Sequence, residues 1–312
     1  MEKMTGIMAG WLIMSATEAK KDYGFVVENG KIVEIVPNEK LLGKEGVIDA
    51  RDSIVCPTFT NTHTHFYETL AHGATEPNLS LKPLLEDFWW PVVENRQTLE
   101  TIRISTEYSA LESMTSGVTL CNDILEAPFA ERGKRLLTEE AVIRKAGMKA
   151  VLSLESNERI STENGYENLE ENKNFILKMR ETGNSDIRGT ICTHTTFSCS
   201  TPFLMKAAGM ARDMDEYIQI HMNEGPDEDK CCVDKYGMTT AELYKKIGFW
   251  EGGKAWANQC SCMEPVELNI MGQMGVGIST QPRSNALCNA GIAPVADMLK
   301  NGIKVGLGTD NG

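Results

Sequence analysis

Short apolar segments alternate with longer stretches of helical periodicity along the chain from Pro57 onward. The apolar segments predict eight buried strands, because each is short and lies between polar turns. These segments are Thr58–Asn61, Val118–Asn122, Lys149–Leu154, Gly189–Thr193, Tyr217–His221, Ala255–Asn258, Val276–Thr280 and Lys304–Gly308. The predicted helices between them are Leu99–Ser116, Thr138–Lys145, Tyr166–Glu181, Pro202–Asp213, Thr240–Ile247, Glu264–Met274 and Pro294–Asn301. This alternation predicts an α/β fold, a (β/α)₈ TIM-type barrel.

The first part of the chain has a different rhythm, with short β-like segments separated by turns. Gly24–Gly30 followed by Lys31–Val36 predicts a hairpin with Asn29-Gly30 at its tip. This part of the chain has the pattern of one portion of a small β-sandwich. We therefore predict two domains: an incomplete N-terminal β-sandwich over residues 1–56, and a barrel over residues 57–312 that ends at its eighth strand.

The net charge of the chain indicates which partners it can bind, and its cysteines indicate its cellular location. Lys and Arg number 31 and Asp and Glu 44, so the net charge is −13, and we expect neither nucleic-acid nor membrane partners because an acidic surface repels phosphates and anionic lipids. The apolar run Ile7–Met14 has eight residues, whereas a membrane helix needs about 20, so it is predicted to be a strand. The nine cysteines show no paired framework, which indicates reduced thiols and a cytoplasmic location.

The predicted connection after the first barrel strand, residues 66–97, is long and carries the run Phe88-Trp-Trp-Pro91. A long connection at this end of a barrel predicts a cover over the active site. Trp89 and Trp90 can stack on a planar substrate or pack in the core or at a subunit interface. We expect only one of the two, Trp89, to face the pocket. His72 lies in the same connection and is interpreted as a loop residue, with contact to the substrate as the alternative.

Three polar groups follow the ends of predicted strands one, five and eight. His63-Thr-His65 comes after the first strand, His221 ends the fifth and is followed by Glu224, and Asp310 comes after the eighth. Each has an ordinary alternative, namely a surface or core histidine, a solvated glutamate or a helix cap. Catalytic groups gather at this end of barrel strands, so their coincidence predicts a site of three imidazoles and one carboxylate, a set that suits zinc or ferrous iron.

Five segments together resemble motifs of one protein family. Residues 56–65, Cys-Pro-Thr-Phe-Thr-Asn-Thr-His-Thr-His, are similar to an entry motif Pro-Gly-Phe-x-Asn-x-His-x-His. The other segments are His194-Thr-Thr-Phe-Ser-Cys-Ser200, the His-x-x-Glu pair of His221 and Glu224, Pro282-Arg-Ser-Asn285 and Gly308-Thr-Asp310. The chain thus resembles the amidohydrolase superfamily, in the branch of mononuclear aminohydrolases that includes adenosylhomocysteine and guanine deaminases and the triazine hydrolases.

The resemblance implies a metal-dependent hydrolase of non-peptide C–N bonds that deaminates a nitrogen heterocycle. One divalent metal, Zn²⁺ or Fe²⁺, would be held by His63, His65, His221 and Asp310. Asp310 would also accept a proton from water, and Glu224 would shuttle protons to the substrate. Substrate contacts would come from His194, Trp89 and Gln281. No lysine follows the fourth strand to bridge two ions, which favours a single metal, and a homodimer is a family expectation.

The sequence departs from the family pattern at the sixth and seventh strands. Asn258 stands where the family has a histidine beside the hydrolytic water, and Thr280-Gln281-Pro282 replaces His-Asn-Pro. Asn258 can hydrogen-bond but cannot become cationic, so the alternative is a catalytically impaired or inactive paralogue. Thr58 replaces the glycine of the entry motif. The chain stops shortly after Asp310, so we expect it to be truncated at the C-terminus relative to the family.

Overall fold

The computed structural model describes residues 4–74, 80–183 and 185–310. The chain divides into two compact units, Met1–Phe59 and Thr60–Gly312. Within the described ranges, no helix combines the length and the apolar character needed to cross a membrane.

The N-terminal unit contains one five-stranded sheet. Its strands are β1 Gly6–Ile13, β2 Ala19–Lys21, β3 Tyr23–Glu28, β4 Lys31–Pro37 and β5 Val47–Val55. β1 pairs antiparallel with β2 and β3 and parallel with β5, and β3 pairs antiparallel with β4. The β3–β4 hairpin confirms the predicted turn: Asn29 and Gly30 have φ values of 51° and 75°, the left-handed conformations that a two-residue type I′ turn requires.

The second unit is a parallel barrel. Its strand segments are β6 Phe59–Thr64, β7 Val118–Leu125, β8 Lys149–Leu154, β9 Ile187–Gly189, β10 Ile191–Thr193, β11 Ile218–Met222, β12 Ala255–Gln259, β13 Gly277–Thr280 and β14 Val305–Leu307. β9 and β10 are halves of one strand interrupted at Thr190, so eight strands surround the core. Isolated parallel bridges, Thr64 with Asp310 and Ser156 with Thr193, join the two sheets. All eight predicted strands are present, which confirms the barrel.

The helices surround the strands in chain order. They are α1 Leu81–Leu84, α2 Leu99–Thr115, α3 Arg135–Ala146, α4 Thr162–Thr182, α5 Thr201–Asp213, α6 Pro226–Tyr236, α7 Thr240–Lys246, α8 Pro265–Met274, α9 Pro282–Leu287 and α10 Val295–Lys300. Short 3₁₀ segments lie at Asn38–Lys40, Phe66–Ala71 and Glu94–Arg96, and a π-helical segment at Leu85–Val93. The seven predicted helices are present. The sequence did not predict α1, α6 or α9. Of these, α6 has little apolar surface and buries Glu228 and Cys232.

Local sequence signals set the ends of these helices. Ser161 caps α4 by accepting a hydrogen bond from the backbone N–H of Asn164, at 3.0 Å, which satisfies one of the free donors of the first turn. α4 ends at Gly183, whose φ of 65° suits a residue without a side chain. Pro265 starts α8, where a missing N–H costs nothing. These capping signals end each helix at a defined residue, after which the chain forms the next barrel strand. The strands are parallel, so their carboxyl ends lie at the same rim.

Candidate metal centre and active site

The barrel brings the predicted site residues to one rim. His63 lies within β6, so the strand runs further than predicted, and His65 follows it. His221 lies on β11, and Asp310 comes after β14 and bridges back to Thr64. These side chains therefore meet at the carboxyl ends of the first, fifth and eighth strands, the face where barrel enzymes build their sites.

The candidate ligands form a tight, buried group. His63, His65, His221 and Asp310 are each no more than 7% exposed, and each offers one ligand atom within 4.8 Å of the others. Nε2 of His63 lies 2.7 Å from Oδ1 of Asp310, and Nε2 of His65 lies 3.4 Å from the same oxygen. Three imidazoles and a carboxylate at such spacing suit a divalent cation with an open position.

A second layer of contacts orients this group. Nδ1 of His65 lies 2.8 Å from the carbonyl oxygen of Ile124, so Nδ1 donates there and Nε2 is left for a metal. The hydroxyl of Ser284 donates to Oδ2 of Asp310 at 2.5 Å, which gives a role to the Pro282-Arg-Ser-Asn285 motif. Nδ1 of His63 is buried and has no hydrogen-bond partner among the described residues. These residues fit a divalent metal.

Burial and mutual charge set the protonation of the ligands. Burial lowers the pKa of His63 to about 4, so this imidazole is neutral at pH 7. Burial also acts on Asp310, but the hydrogen bonds and charges of His63 and His65 outweigh it and hold the pKa of Asp310 well below its usual value. Burial lowers the pKa of His65 less than Asp310 and Glu68 raise it, so its pKa lies well above normal.

Glu224 faces the same cleft from the connection between β11 and α6. Its side chain is buried, and burial followed by the negative charge of Asp310 raises its pKa well above the usual value. A raised pKa favours the protonated form of a carboxyl group, which can donate a proton. The structure therefore brings Glu224, with its raised pKa, to the candidate metal centre.

His194 approaches the centre from the end of β10. Its Nδ1 lies 2.6 Å from the hydroxyl oxygen of Ser198, and burial lowers its pKa to about 4. Its ring centroid is 5.4 Å from that of His221. A neutral imidazole fixed on one side by Ser198 can present Nε2 to a bound molecule.

Glu155 is a site residue that the sequence analysis did not identify. It follows β8 directly, is 4% exposed, and forms a second group of potential metal ligands with His194 and His221. Its Oε1 lies 3.0 Å from Nδ1 of His221 and 4.0 Å from Nε2 of His194. The rule that polar residues at strand ends face the site also applies to the third strand and would have identified it.

A cleft with a cavity volume of about 40 Å³ opens beside the ligands. Leucines of the long connection line it together with Trp89, which is 4% exposed. Trp90 instead packs its ring 5.3 Å from the guanidinium of Arg159 and 6.3 Å from the ring of His194. The cleft is lined by His65, Tyr67, Glu68, Leu81, Leu84, Leu85, Trp89, Glu94, Glu155, His194, His221, Glu224, Cys288 and Asp310.

Asn258 and Gln281 lie in the barrel interior, outside the described lining of this cleft. The side-chain amide of Asn258 donates to Oε1 of Gln219 at 3.3 Å, and its oxygen is buried without a partner in the described chain. Gln281 accepts from the backbone N–H of Gln259 at 3.0 Å and donates to Ser279 at 2.8 Å. Gln281 therefore braces neighbouring strands in this structure. His72 is exposed in the first connection.

The sequence is similar to those of known deaminases. The 5'-deoxyadenosine deaminase of Methanocaldococcus jannaschii is 30% identical over 292 residues, which cover 93% of this chain and 67% of the relative. The 5-methylthioadenosine/S-adenosylhomocysteine deaminase of Carboxydothermus hydrogenoformans is 30% identical over 288 residues, 91% of this chain and 64% of the relative. The chain thus spans about two thirds of the length of these curated relatives.

The fold also resembles that of solved enzymes. A zinc-bound adenosine deaminase from Xanthomonas campestris superposes with a TM-score of 0.88 at 19% identity, over 99% of this chain and 69% of that one. The model of the amidohydrolase family matches residues 54–312. That match includes the whole barrel and every candidate ligand, and the chain therefore belongs to the amidohydrolase family.

Proposed function

We propose that this protein is a zinc-dependent hydrolase that deaminates a nitrogen heterocycle. The observation that carries the proposal is the convergence of four ligand atoms with Glu224 and His194 at a single cleft. Ferrous iron is the alternative metal, because the same ligand set suits both ions. The cytoplasmic location and the homodimer stay predictions from the sequence.

Different side chains of the protein carry out the individual proton transfers of this reaction. A divalent metal, when bound, supplies Lewis-acid chemistry that lowers the pKa of a water towards neutrality. Asp310, ionised in this site, accepts the proton of the attacking water. Glu224 donates a proton to the ring nitrogen next to the reacting carbon, and His194 holds the substrate by a hydrogen bond. The proton taken by Asp310 then passes to the amino group, which leaves as ammonia when the C–N bond breaks, and the proton of the new hydroxyl group returns to Glu224 as the carbonyl forms.

The substrate class we favour is a 6-aminopurine nucleoside. The two relatives described above are named as deaminases of such compounds, and the cleft offers matching contacts. Trp89 provides a flat apolar surface for a purine ring, while Glu68 and Glu94 provide acceptors for hydroxyl groups. The deaminase relatives favour turnover over the impaired paralogue that Asn258 suggested.

The test is a substrate panel with the metal-loaded protein. Ammonia release is followed for 5'-deoxyadenosine, 5'-methylthioadenosine, S-adenosylhomocysteine, adenosine and guanine, with Zn²⁺ and with Fe²⁺ under anaerobic conditions. The matched control is Glu224→Gln, which keeps the shape of the side chain and should lower kcat by a factor of about 10² to 10⁴ while the metal content stays equal. Stoichiometric metal without ammonia from any of these substrates would contradict the proposal.

A further inference from the structure

The carboxylate of Glu155 lies between two imidazoles of the site. Oε1 is 3.0 Å from Nδ1 of His221 and 4.0 Å from Nε2 of His194. All three side chains are no more than 4% exposed. The carboxylate therefore stands beside a candidate metal ligand and beside the histidine that we assign to the substrate.

The backbone fixes Glu155 in this position. Its N–H donates to the carbonyl oxygen of Leu125 at 2.9 Å, and its carbonyl oxygen accepts from the side-chain amide of Asn168 at 3.2 Å. The residue is thus attached to the second barrel strand on one side and to α4 on the other. A carboxylate on such a rigid support can hold a neighbouring ring in one orientation.

His221 has a ring nitrogen that needs a partner. Nδ1 is buried and, although 3.0 Å from Oε1 of Glu155, its N–H direction is not aligned for a hydrogen bond to any described residue. An imidazole that binds a metal through one nitrogen usually donates the other N–H to a carboxylate, which fixes the tautomer and the ring orientation. Glu155 is the carboxylate within reach.

We propose that Glu155 is a positioning residue of the metal centre, whose carboxylate accepts the Nδ1 proton of His221 and thereby commits Nε2 to the metal. This inference rests on the metal centre of the proposed function. Nδ1 and Oε1 are already at hydrogen-bond distance, so the bond needs a change in the orientation of the His221 ring and not in the separation of the two atoms.

The same three side chains could instead be read as a second cation site. His221 belongs to both groups of ligands, so occupancy of both would require its ring to lose both protons and bridge two cations. A single proton on Nδ1 of His221, directed at Oε1 of Glu155, accounts for their 3.0 Å separation without that cost. The geometry therefore favours a proton, and not a second metal, between His221 and Glu155.

Metal affinity tests the inference directly. Glu155→Gln keeps the size of the side chain but removes its charge, and we expect the Zn²⁺ affinity to fall by a factor of about 10 to 100, measured by competition with a chelator. The matched control is Glu126→Gln, because Glu126 is equally buried at the end of the neighbouring strand but contacts Arg159 and Asn157. An unchanged affinity in Glu155→Gln, or an equal loss in both variants, would overturn the inference.

The unmodified protein gives a second test, which does not depend on the folding of a variant. With only five histidines, ¹⁵N-labelled rings can be resolved in the Zn²⁺-bound protein. We expect a His221 ring protonated at Nδ1 and bound to the metal through Nε2. Binding through Nδ1 would overturn the inference. So would a second tightly bound Zn²⁺ that Glu155→Gln removes.

The outcomes separate this inference from the proposed function. Tight metal binding without turnover of any substrate would contradict the proposed deaminase function. The role of Glu155 would then still be tested by the Zn²⁺ affinity of Glu155→Gln. Turnover with an unchanged affinity in Glu155→Gln contradicts only the role of Glu155. A wild-type protein that binds no Zn²⁺ would overturn the metal centre and this inference together.

Discussion

Nε2 of His63 and Oδ1 of Asp310 lie 2.7 Å apart, although 247 positions separate them in the chain. The backbone reinforces this contact, because the N–H groups of Thr309 and Asp310 both donate to the carbonyl oxygen of His63 at 3.0 Å. Closing the barrel between its first and last strands therefore also assembles the candidate metal centre. A change that disturbs the closure should weaken metal binding even if no ligand is altered.

Gly308→Ala makes such a change. A Cβ atom at this position would lie 2.6 Å from the carbonyl oxygen of His63 and 2.9 Å from its Cβ atom, closer than atoms in folded proteins approach. Relief of this clash must move the strand that carries His63. We expect a loss of about 1–3 kcal/mol in the free energy of unfolding, measured with urea, and at least a tenfold loss of Zn²⁺ affinity.

Gly209→Ala is the control for this substitution. Gly209 lies within α5 and a Cβ atom there would meet open space. Alanine in a helix reduces the freedom of the unfolded chain, so the variant should be more stable by about 0.4–1 kcal/mol with unchanged metal affinity. If Gly308→Ala matched this control in both measurements, the link between barrel closure and the metal centre would be wrong.

Metal binding should release a proton from His65. The pKa of this ring is raised well above normal, because burial is outweighed by its hydrogen bond to Asp310 and by the nearby carboxylates, whereas a metal needs the neutral imidazole. We therefore expect about one proton released per Zn²⁺ bound, and an affinity that rises with pH until His65 is neutral without metal. Calorimetric titrations in buffers of different ionisation heat measure the proton count. A binding heat that is independent of the buffer would contradict this prediction.

The sequence predicted the barrel because each strand is a short apolar segment followed by a helix of different periodicity. It also predicted the convergence of His63, His221 and Asp310, because parallel strands in a barrel end at the same rim. Both predictions rest on rules that need no knowledge of side-chain packing. For the same reason, α6 was missed: its inner face carries Glu228 and Cys232 in place of an apolar stripe.

Tertiary packing determines which side chains line the site, and the sequence alone did not predict this for several residues. The sequence places Glu155 directly after the third predicted strand, but only the structure shows that its carboxylate lies beside His221. Likewise, Trp89 and Trp90 are adjacent and chemically equal, and only the structure shows that Trp89 lines the cleft while Trp90 packs against Arg159. Gln281 was assigned to the substrate by its place in a motif, but its amide is occupied by contacts with β12 and β13.

Asn258→His should increase turnover of a suitable substrate by about tenfold or more, because an imidazole can carry charge and exchange protons where an amide cannot. Asn258 lies in register with His221 on the neighbouring strand, fully buried. The larger ring must displace the amide that bonds Gln219, so we also expect some loss of stability, about 1–3 kcal/mol. The measurements are kcat/KM for ammonia release and urea unfolding.

The control for this prediction is Asn258→Ala, which removes the amide without supplying an imidazole. It should show no gain in turnover while losing the same contact with Gln219. If Asn258→His binds metal stoichiometrically and still gives no gain with any tested substrate, Asn258 is not what limits the rate.

Arg135 should be among the most costly positions to truncate, because its charge is buried. The guanidinium is 0% exposed and donates to Oε2 of Glu171 at 2.7 Å, to Asn168 at 2.9 Å and to the carbonyl oxygen of Ala127 at 3.0 Å. Arg135→Ala leaves the buried Glu171 carboxylate without its positive partner, although its Oε2 still accepts from the backbone N–H of Gly133 at 2.7 Å. We expect a loss of about 3–5 kcal/mol in the free energy of unfolding, measured with urea.

Arg132→Ala supplies the matched comparison. Arg132 pairs with Glu167, one helical turn before Glu171 on α4, but the arginine side chain is 55% exposed. Solvent screens this pair, so its loss should cost no more than about 1 kcal/mol. The two arginines flank the start of α3 and face the same helix, so the difference between the variants isolates burial of the ion pair. Equal losses would mean that burial of the Arg135–Glu171 pair is not what stabilises the contact between α3 and α4.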